Sequence, residues 1–227
     1  MASETQVGVI VTAGGLGKRA GGELPKQLAK LQGKAMWRYS VETFLNNKEI
    51  KKVVLTVPQD WQTYFIEESK DLPITVALGG EERWQSVKNG IDALPGNISH
   101  VMVHDAARPF INEEIIKNML EALKHSCCMV AKPVFDTVKI AENGFVKSTL
   151  DRKTVWLAQT PQAAPVALLK ELYKKMEDFP DFCPTDEASI LEKFDIPIKI
   201  IEGNEKNDKI TTSEELFFYL SLYVTNE

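Results

Sequence analysis

Between Ala13 and Gln27 the chain reads Ala-Gly-Gly-Leu-Gly-Lys-Arg and then, after Ala20 to Leu24, Pro-Lys-Gln. Glycines at 14, 15 and 17 let main-chain N–H groups approach an anion without a Cβ in the way, and Lys18, Arg19 and Lys26 add positive charge on both sides. The chemistry that suits such a loop is polyphosphate binding; a flexible turn with solvated cations is the plain alternative. Gly15-Leu16-Gly17-Lys18-Arg19-Ala20 also fits the dinucleotide fingerprint, which needs a helix to begin at the loop, and Gly21-Gly22 and Pro25 oppose one. A Walker loop needs Ser or Thr where Arg19 stands.

Other groups that could do chemistry follow later apolar runs. Gly79-Gly80-Glu81-Glu82-Arg83-Trp84-Gln85-Ser86 has a glycine pair ahead of a helix start, either a ligand loop or a surface turn. In His104-Asp105-Ala106-Ala107-Arg108-Pro109 an acidic residue ends a run that should be buried, with Arg108 three residues on. It forms a structural ion pair or holds a cation or a substrate hydroxyl. His104 reads as a hydrogen-bonded core residue, and Lys209, after the last apolar run, as a reach toward an anion or a solvated lysine.

These groups need a scaffold that brings strand ends together. Short β-rich runs at Val7–Val11, Lys52–Val57, Ile74–Leu78, His100–His104, Met129–Pro133 and Ile198–Ile201 alternate with helical patterns near 36–46, 61–69, 82–93 and 112–125. That alternation predicts an α/β fold, a mostly parallel Rossmann-like sheet flanked by helices, with ligands beyond the carboxyl ends of the strands. Ile115, Ile116, Met119, Leu120 and Leu123 share one helical face and should be core. Val134 to Leu150 breaks the alternation: β-type residues flank Asn143-Gly144, a strong hairpin signal, so this segment is a protruding arm. A lone two-stranded hairpin is marginal in water, which points to a second subunit as its support. Helices follow near 165–178 and 186–194, the second with Thr185 as N-cap, and a last one covers Ser213–Tyr223.

The 227 residues, 44% hydrophobic, suit one domain over residues 1–227 with the arm at about 134–156. A net charge of −5 gives no global attraction to nucleic acid or to an anionic membrane. No apolar run approaches the roughly 18 residues of a membrane span, and Met1 to Gln6 lacks signal-peptide character, so the expected location is cytoplasmic. Cys127, Cys128 and Cys183 read as structural, with no Cys-x-x-Cys pair.

Cations and backbone donors abound, without a Ser-His-Asp order, a metal-binding histidine pair or an evident cysteine nucleophile. Phosphoryl or nucleotidyl transfer asks for little else, because positioning and charge neutralisation carry most of the catalysis. A phosphate monoester as acceptor is largely dianionic at neutral pH and needs no general base. A magnesium ion held mainly by the phosphates would complete the site.

The glycine loop, Pro25-Lys26-Gln27, Gly79-Gly80-Glu81-Glu82-Arg83 with Ser86, Val103-His104-Asp105-Ala106-Ala107-Arg108-Pro109, Thr160-Pro161-Gln162 and Thr185-Asp186-Glu187-Ala188 occur in that order. In this the chain resembles the 2-C-methyl-D-erythritol 4-phosphate cytidylyltransferases of non-mevalonate isoprenoid biosynthesis. The resemblance implies a Mg²⁺-dependent reaction of CTP with the sugar-alcohol phosphate, giving the CDP-linked product and pyrophosphate. It implies that Arg19 and Lys26 stabilise the triphosphate in the transition state, while the backbone of Ala13, Gly14, Gly15, Leu16, Gly17 and Lys18 holds its phosphates. Glu81, where the family usually has Asp, would lie with Arg83 and Ser86 around cytosine and ribose. Asp105, a candidate magnesium ligand, would face the sugar phosphate with Arg108, Thr185 would bind substrate, and Lys209 would lie near both substrates. The arm would cross to a second subunit of a homodimer, where Thr137 and Arg152 complete the partner's acceptor site. A ribitol 5-phosphate cytidylyltransferase shares these motifs, and a nucleotide-binding module without turnover is the rival from another class.

Overall fold

A computed structural model describes residues 5–14, 28–212, 215, 218 and 219. The expected C-terminal helix over 213–223, like the loop residues 15–27, lies largely outside them.

The architecture is a seven-stranded sheet between two helical layers. In chain order the elements are β1 (Val7–Thr12), β2 (Lys30–Leu31), β3 (Lys34–Ala35), α1 (Met36–Leu45), β4 (Ile50–Val57), α2 (Gln62–Glu68), β5 (Thr75–Leu78), α3 (Arg83–Asp92), β6 (His100–Asp105), α4 (Glu113–Leu123) and β7 (Cys127–Pro133). Then come β8 (Lys139–Glu142), β9 (Phe145–Thr149), β10 (Trp156–Pro165), α5 (Val166–Lys175), α6 (Glu187–Lys193) and β11 (Ile198–Glu202). The sheet order is β11-β7-β10-β6-β1-β4-β5, and β10 alone runs antiparallel to its neighbours. The strand order reverses about β1, which pairs in parallel with both β4 and β6 and so opens a crevice at its carboxyl end.

The strand period of two sorts β1 between the layers. Val7, Val9 and Val11 pack with Trp37, Val41 and Phe44 of α1 and with α4, whereas Ile10 packs with Val87 and Ile91 of α3 and Leu169 and Leu172 of α5. The α4 stripe is core as the spacing predicts, with Ile115, Ile116, Met119, Leu120 and Leu123 all at most 4% exposed. Asn112 caps this helix by accepting the Ile115 N–H at 2.9 Å. At α6 the cap is Asp186 and not Thr185: its carboxylate takes the Ser189 N–H at 2.9 Å, and the Ser189 hydroxyl returns to the Asp186 backbone.

The arm is a two-stranded hairpin of β8 and β9, turning at Asn143 and Gly144 with φ of 51° and 83°. Every residue of both strands is exposed, including Phe145 and Val146. Among the described residues no helix is long and apolar enough to cross a membrane.

α3 carries the start of one ligand loop and lies unusually close to β1. A Cβ on Gly90 would sit 2.7 Å from the Ile10 Cγ2, inside van der Waals contact with a fully buried, stiff side chain. Gly90→Ala should therefore destabilise the protein by about 1–2 kcal/mol, the overpacking outweighing the helix-propensity gain. Urea melts test this; a neutral or stabilised variant would show that α3 can move away from β1.

Candidate active site

β1 and β6 end side by side, with Thr12 opposite Asp105 in the parallel register. Asp105 is 7% exposed, yet cations surround it: Arg83 Nε at 3.3 Å, Lys209 Nζ at 2.8 Å and Arg108 Nε at 3.7 Å. The Thr12 hydroxyl also donates to it at 3.3 Å. Burial alone would raise the Asp105 carboxyl, but Arg83 and Lys209 overcome that and hold it well below the ordinary carboxylate range. It is a fixed negative charge.

Arg83 opens α3, where the Glu82 N–H meets the Gln85 side chain at 2.8 Å. From there its guanidinium spans two carboxylates, with Nε toward Asp105 and Nη1 donating to both oxygens of Glu187 at 2.8 and 2.9 Å. Glu187 starts α6 and is 1% exposed. Burial opposes charge on Arg83, but Glu187 and Asp105 more than offset it and raise its pKa further. Burial also pushes the Glu187 carboxyl up, against the pull of Arg83. Three cations against two carboxylates leave the cluster one positive charge in excess.

Two adjoining clefts share this cluster. The first, about 260 Å³, lies between Gly14 at the end of β1 and the Gly80–Glu82 loop, with Ser86 and Ala107 in its wall. The second, about 180 Å³, is bounded by Arg108, Thr160, Gln162, Thr185 and Asp186. Arg83, Asp105 and Lys209 line both. The two clefts thus lie on either side of one ionic wall.

His104 has the structural role its strand position suggests. It is fully buried, its ring edge-on to Phe44, with Nε2 3.0 Å from the Arg108 carbonyl and Nδ1 3.0 Å from the Thr160 hydroxyl. A carbonyl only accepts, so Nε2 carries the proton and Nδ1 accepts from Thr160, whose oxygen in turn accepts the Asp105 N–H at 3.1 Å. Burial lowers its pKa to about 4. Neutral in the fold and protonatable in the unfolded chain near 6.5, it removes about 3 kcal/mol of stability as pH falls from 6.5 to 4. Denaturant melts at neutral and acid pH should show a shallower pH slope for His104→Gln; equal slopes would refute the assignment.

Of the residues singled out from sequence, Gly14, Glu81, Arg83, Ser86, Asp105 and Lys209 meet at the first cleft, and Arg108 and Thr185 join at the second. Ala13 is buried behind Gly14, its N–H bonded to Thr56 O at 2.8 Å. Ser86 acts within its own loop, its hydroxyl accepting the Gly80 N–H at 2.9 Å. Thr137 and Arg152 are exposed on the arm and line neither cleft of their own chain; Arg152 donates to Phe135 O at 2.6 Å. Gly15, Leu16, Gly17, Lys18, Arg19 and Lys26 lie outside the described residues.

Gln159, Asp186, Glu187 and Asn207 also stand here, Asp186 and Glu187 doing more than favour the dipole at the start of α6. The available signal was polar residues where a buried strand or helix start should be apolar. Cys127 and Cys128 are free and buried, and burial pushes the Cys128 thiol up to about 12, so neither is a ready nucleophile; Cys183 is free and exposed.

Comparison with known proteins adds to this geometry. Residues 7–222 match the family model described as 2-C-methyl-D-erythritol 4-phosphate cytidylyltransferase. The chain is 39% identical to a chloroplastic protein of that name from Oryza sativa subsp. japonica, over 94% of this chain and 73% of the relative. It is 36% identical to one from Dictyoglomus thermophilum, over 95% of each. It is also similar to the crystal structure of 4-diphosphocytidyl-2C-methyl-D-erythritol synthase from Anaerococcus prevotii, with TM-score 0.85 and 28% identity over 96% of this chain and 98% of that one.

Proposed function

Because the chain belongs to the 2-C-methyl-D-erythritol 4-phosphate cytidylyltransferase family, we propose that it joins CTP to 2-C-methyl-D-erythritol 4-phosphate, releasing pyrophosphate. The observation that carries this reading is the pair of clefts meeting at Arg83, Asp105 and Lys209. A nucleotide in the first cleft and a phosphate monoester in the second would face each other across that wall. The reaction forms a bond from an acceptor phosphate oxygen to the α-phosphorus of CTP and breaks the bond from that phosphorus to the bridging oxygen of the leaving pyrophosphate. The acceptor is already dianionic, so no general base is needed, in keeping with a buried, neutral His104. Lys209 and Arg83 would stabilise the charge that builds during transfer, with Arg19 and Lys26 on the triphosphate side as the motif resemblance implies.

A magnesium ion would complete the site. A hard divalent ion bound chiefly by substrate phosphates asks for one or two protein carboxylates. Asp105 fits, being held ionised at the junction of the clefts, and would be the protein ligand to an ion that neutralises phosphate charge. As the working form we propose one nucleotidyltransferase unit per chain, acting in the cytoplasm as a homodimer joined through the arm. Phe135 and Phe145, 74% and 78% exposed there, support that assembly.

Pyrophosphate release with CTP and either 2-C-methyl-D-erythritol 4-phosphate or ribitol 5-phosphate tests the function. Release with the first acceptor is expected; release only with the second would move the assignment, and none with either would end it. For the arm, inactive Arg152→Ala and Lys26→Ala chains mixed in equal amounts should regain about a quarter of wild-type turnover, because one site in each heterodimer is intact. Verified heterodimers without activity would place the whole site within one chain.

A further inference from the structure

Lys209 stands at the end of a segment that is fastened more firmly than its exposed position requires. Asn207, two residues earlier, is fully buried; its N–H, its carbonyl and its side-chain amide nitrogen are bonded, while its Oδ1 has no hydrogen-bond partner. Its N–H goes to Asn204 Oδ1 at 3.1 Å, and its carbonyl accepts Arg108 Nη1 at 2.9 Å. Its Nδ2 donates to Thr160 O at 2.8 Å and approaches Gln159 Oε1 at 3.4 Å. Gln159 is 1% exposed, and its Nε2 donates to Asn204 O at 3.0 Å and to Asp208 Oδ1 at 2.9 Å. The other oxygen of Asp208 takes Lys132 Nζ at 2.5 Å. Past Lys209, the Ile210 N–H returns to Ala107 O at 2.8 Å. Gly203 leaves room for the clasp, since a Cβ there would lie 2.1 Å from Gln159 Oε1.

We propose that Asn207 and Gln159 are positioning residues that aim Lys209 and Arg108 at Asp105, setting from the β10 side the geometry of the wall between the clefts. This rests on the functional reading above. A lysine side chain has several rotatable bonds, so its Nζ is held in place only as well as its backbone is. Here the backbone is tied on both flanks of Lys209. Buried, hydrogen-bonded amides serve that purpose better than ion pairs, because they fix direction without adding charge to the cluster. The same Asn207 carbonyl orients the Arg108 guanidinium, so one residue serves two of the three cations around Asp105.

The test is a cycle with Lys209. Asn207→Ala should lower kcat by on the order of 10²-fold, with a smaller change in the KM for CTP, as expected for misplacement of a catalytic group. In a Lys209→Ala background the same substitution should cost no more than about threefold, because its main route of action is gone. Independently of turnover, acylation of Lys209 by an amine-reactive ester, followed by peptide mass spectrometry on the ligand-free protein, should rise several-fold in Asn207→Ala, while exposed Lys117 is unchanged. Equal kcat losses in both backgrounds, or unchanged Lys209 acylation, would overturn the proposal. If Asn207→Ala does not fold, Gln159→Met carries the same measurements. A wild type without pyrophosphate release would defeat the functional reading and leave the acylation result to decide the clasp.

Discussion

Asp105→Asn should reduce turnover by about 10³-fold or more while leaving a folded protein. The substitution keeps the shape and removes the one negative charge on which Arg83, Arg108 and Lys209 converge. Arg83 stays fixed by Glu187, and Arg108 by the Asn207 and Ala158 carbonyls, so the group released is Lys209, whose side chain is already 40% exposed. Three cations then face the single carboxylate of Glu187, and the free lysine should leave for solvent. Two measurements make the prediction specific. Turnover should collapse, and inorganic pyrophosphate should stabilise the variant against heat more than it does the wild type, because an added anion then fills the role of the missing carboxylate. A variant within tenfold of wild-type turnover would remove Asp105 from the machinery.

The largest effect on stability is expected at Glu187. Glu187→Ala leaves the Arg83 guanidinium buried with only Asp105 to balance it, and Arg83 Nη2 has no hydrogen-bond partner even in the intact protein. Breaking a buried pair from one side costs about 3–5 kcal/mol. Removing both charges is a different matter. An Arg83→Met, Glu187→Met double variant should recover much of that loss, since two apolar side chains replace two desolvated ions. It should recover no turnover, because Arg83 lines both clefts. Chemical denaturation and pyrophosphate release, run on Glu187→Ala and on the double variant, separate these outcomes. If the double variant is as unstable as Glu187→Ala, the pair is needed for folding in its ionic form.

Much of this arrangement is legible in the sequence, for reasons that differ by element. Strands β1, β4 and β6 announce themselves by dense β-branched runs, and the arm by Asn143-Gly144, because a type of backbone turn selects those residues. Asp105 stands out since a carboxylate has no place at the end of a buried strand unless something holds it. Strand β10 is invisible to the same logic. Its middle reads Gln159-Thr160-Pro161-Gln162, three polar residues and a proline where a central strand is normally apolar, and its pairing with β7 shifts register there. Those polar residues are explained only by partners far along the chain: Thr160 by His104, Gln159 by Asn204 and Asp208, Gln162 by Asp186 and Ala188. The ion pair of Glu187 is hidden for the same reason, since its partner Arg83 is 104 residues away. The misplaced cap at Thr185 is a local matter: neighbouring residues were both eligible, and Asp186 wins by closing a reciprocal pair with Ser189.

A common wall between two cavities has a thermodynamic consequence that neither cavity has alone. Whatever occupies one side draws on the same three side chains that greet the occupant of the other, so the two binding equilibria are linked. Any factor by which the first ligand alters affinity for the second must be returned in equal measure when the order is reversed. Two polyanions would compete for the cations of that wall, and a divalent cation bound along with one of them would relax the competition. The site is therefore built to feel its own occupancy.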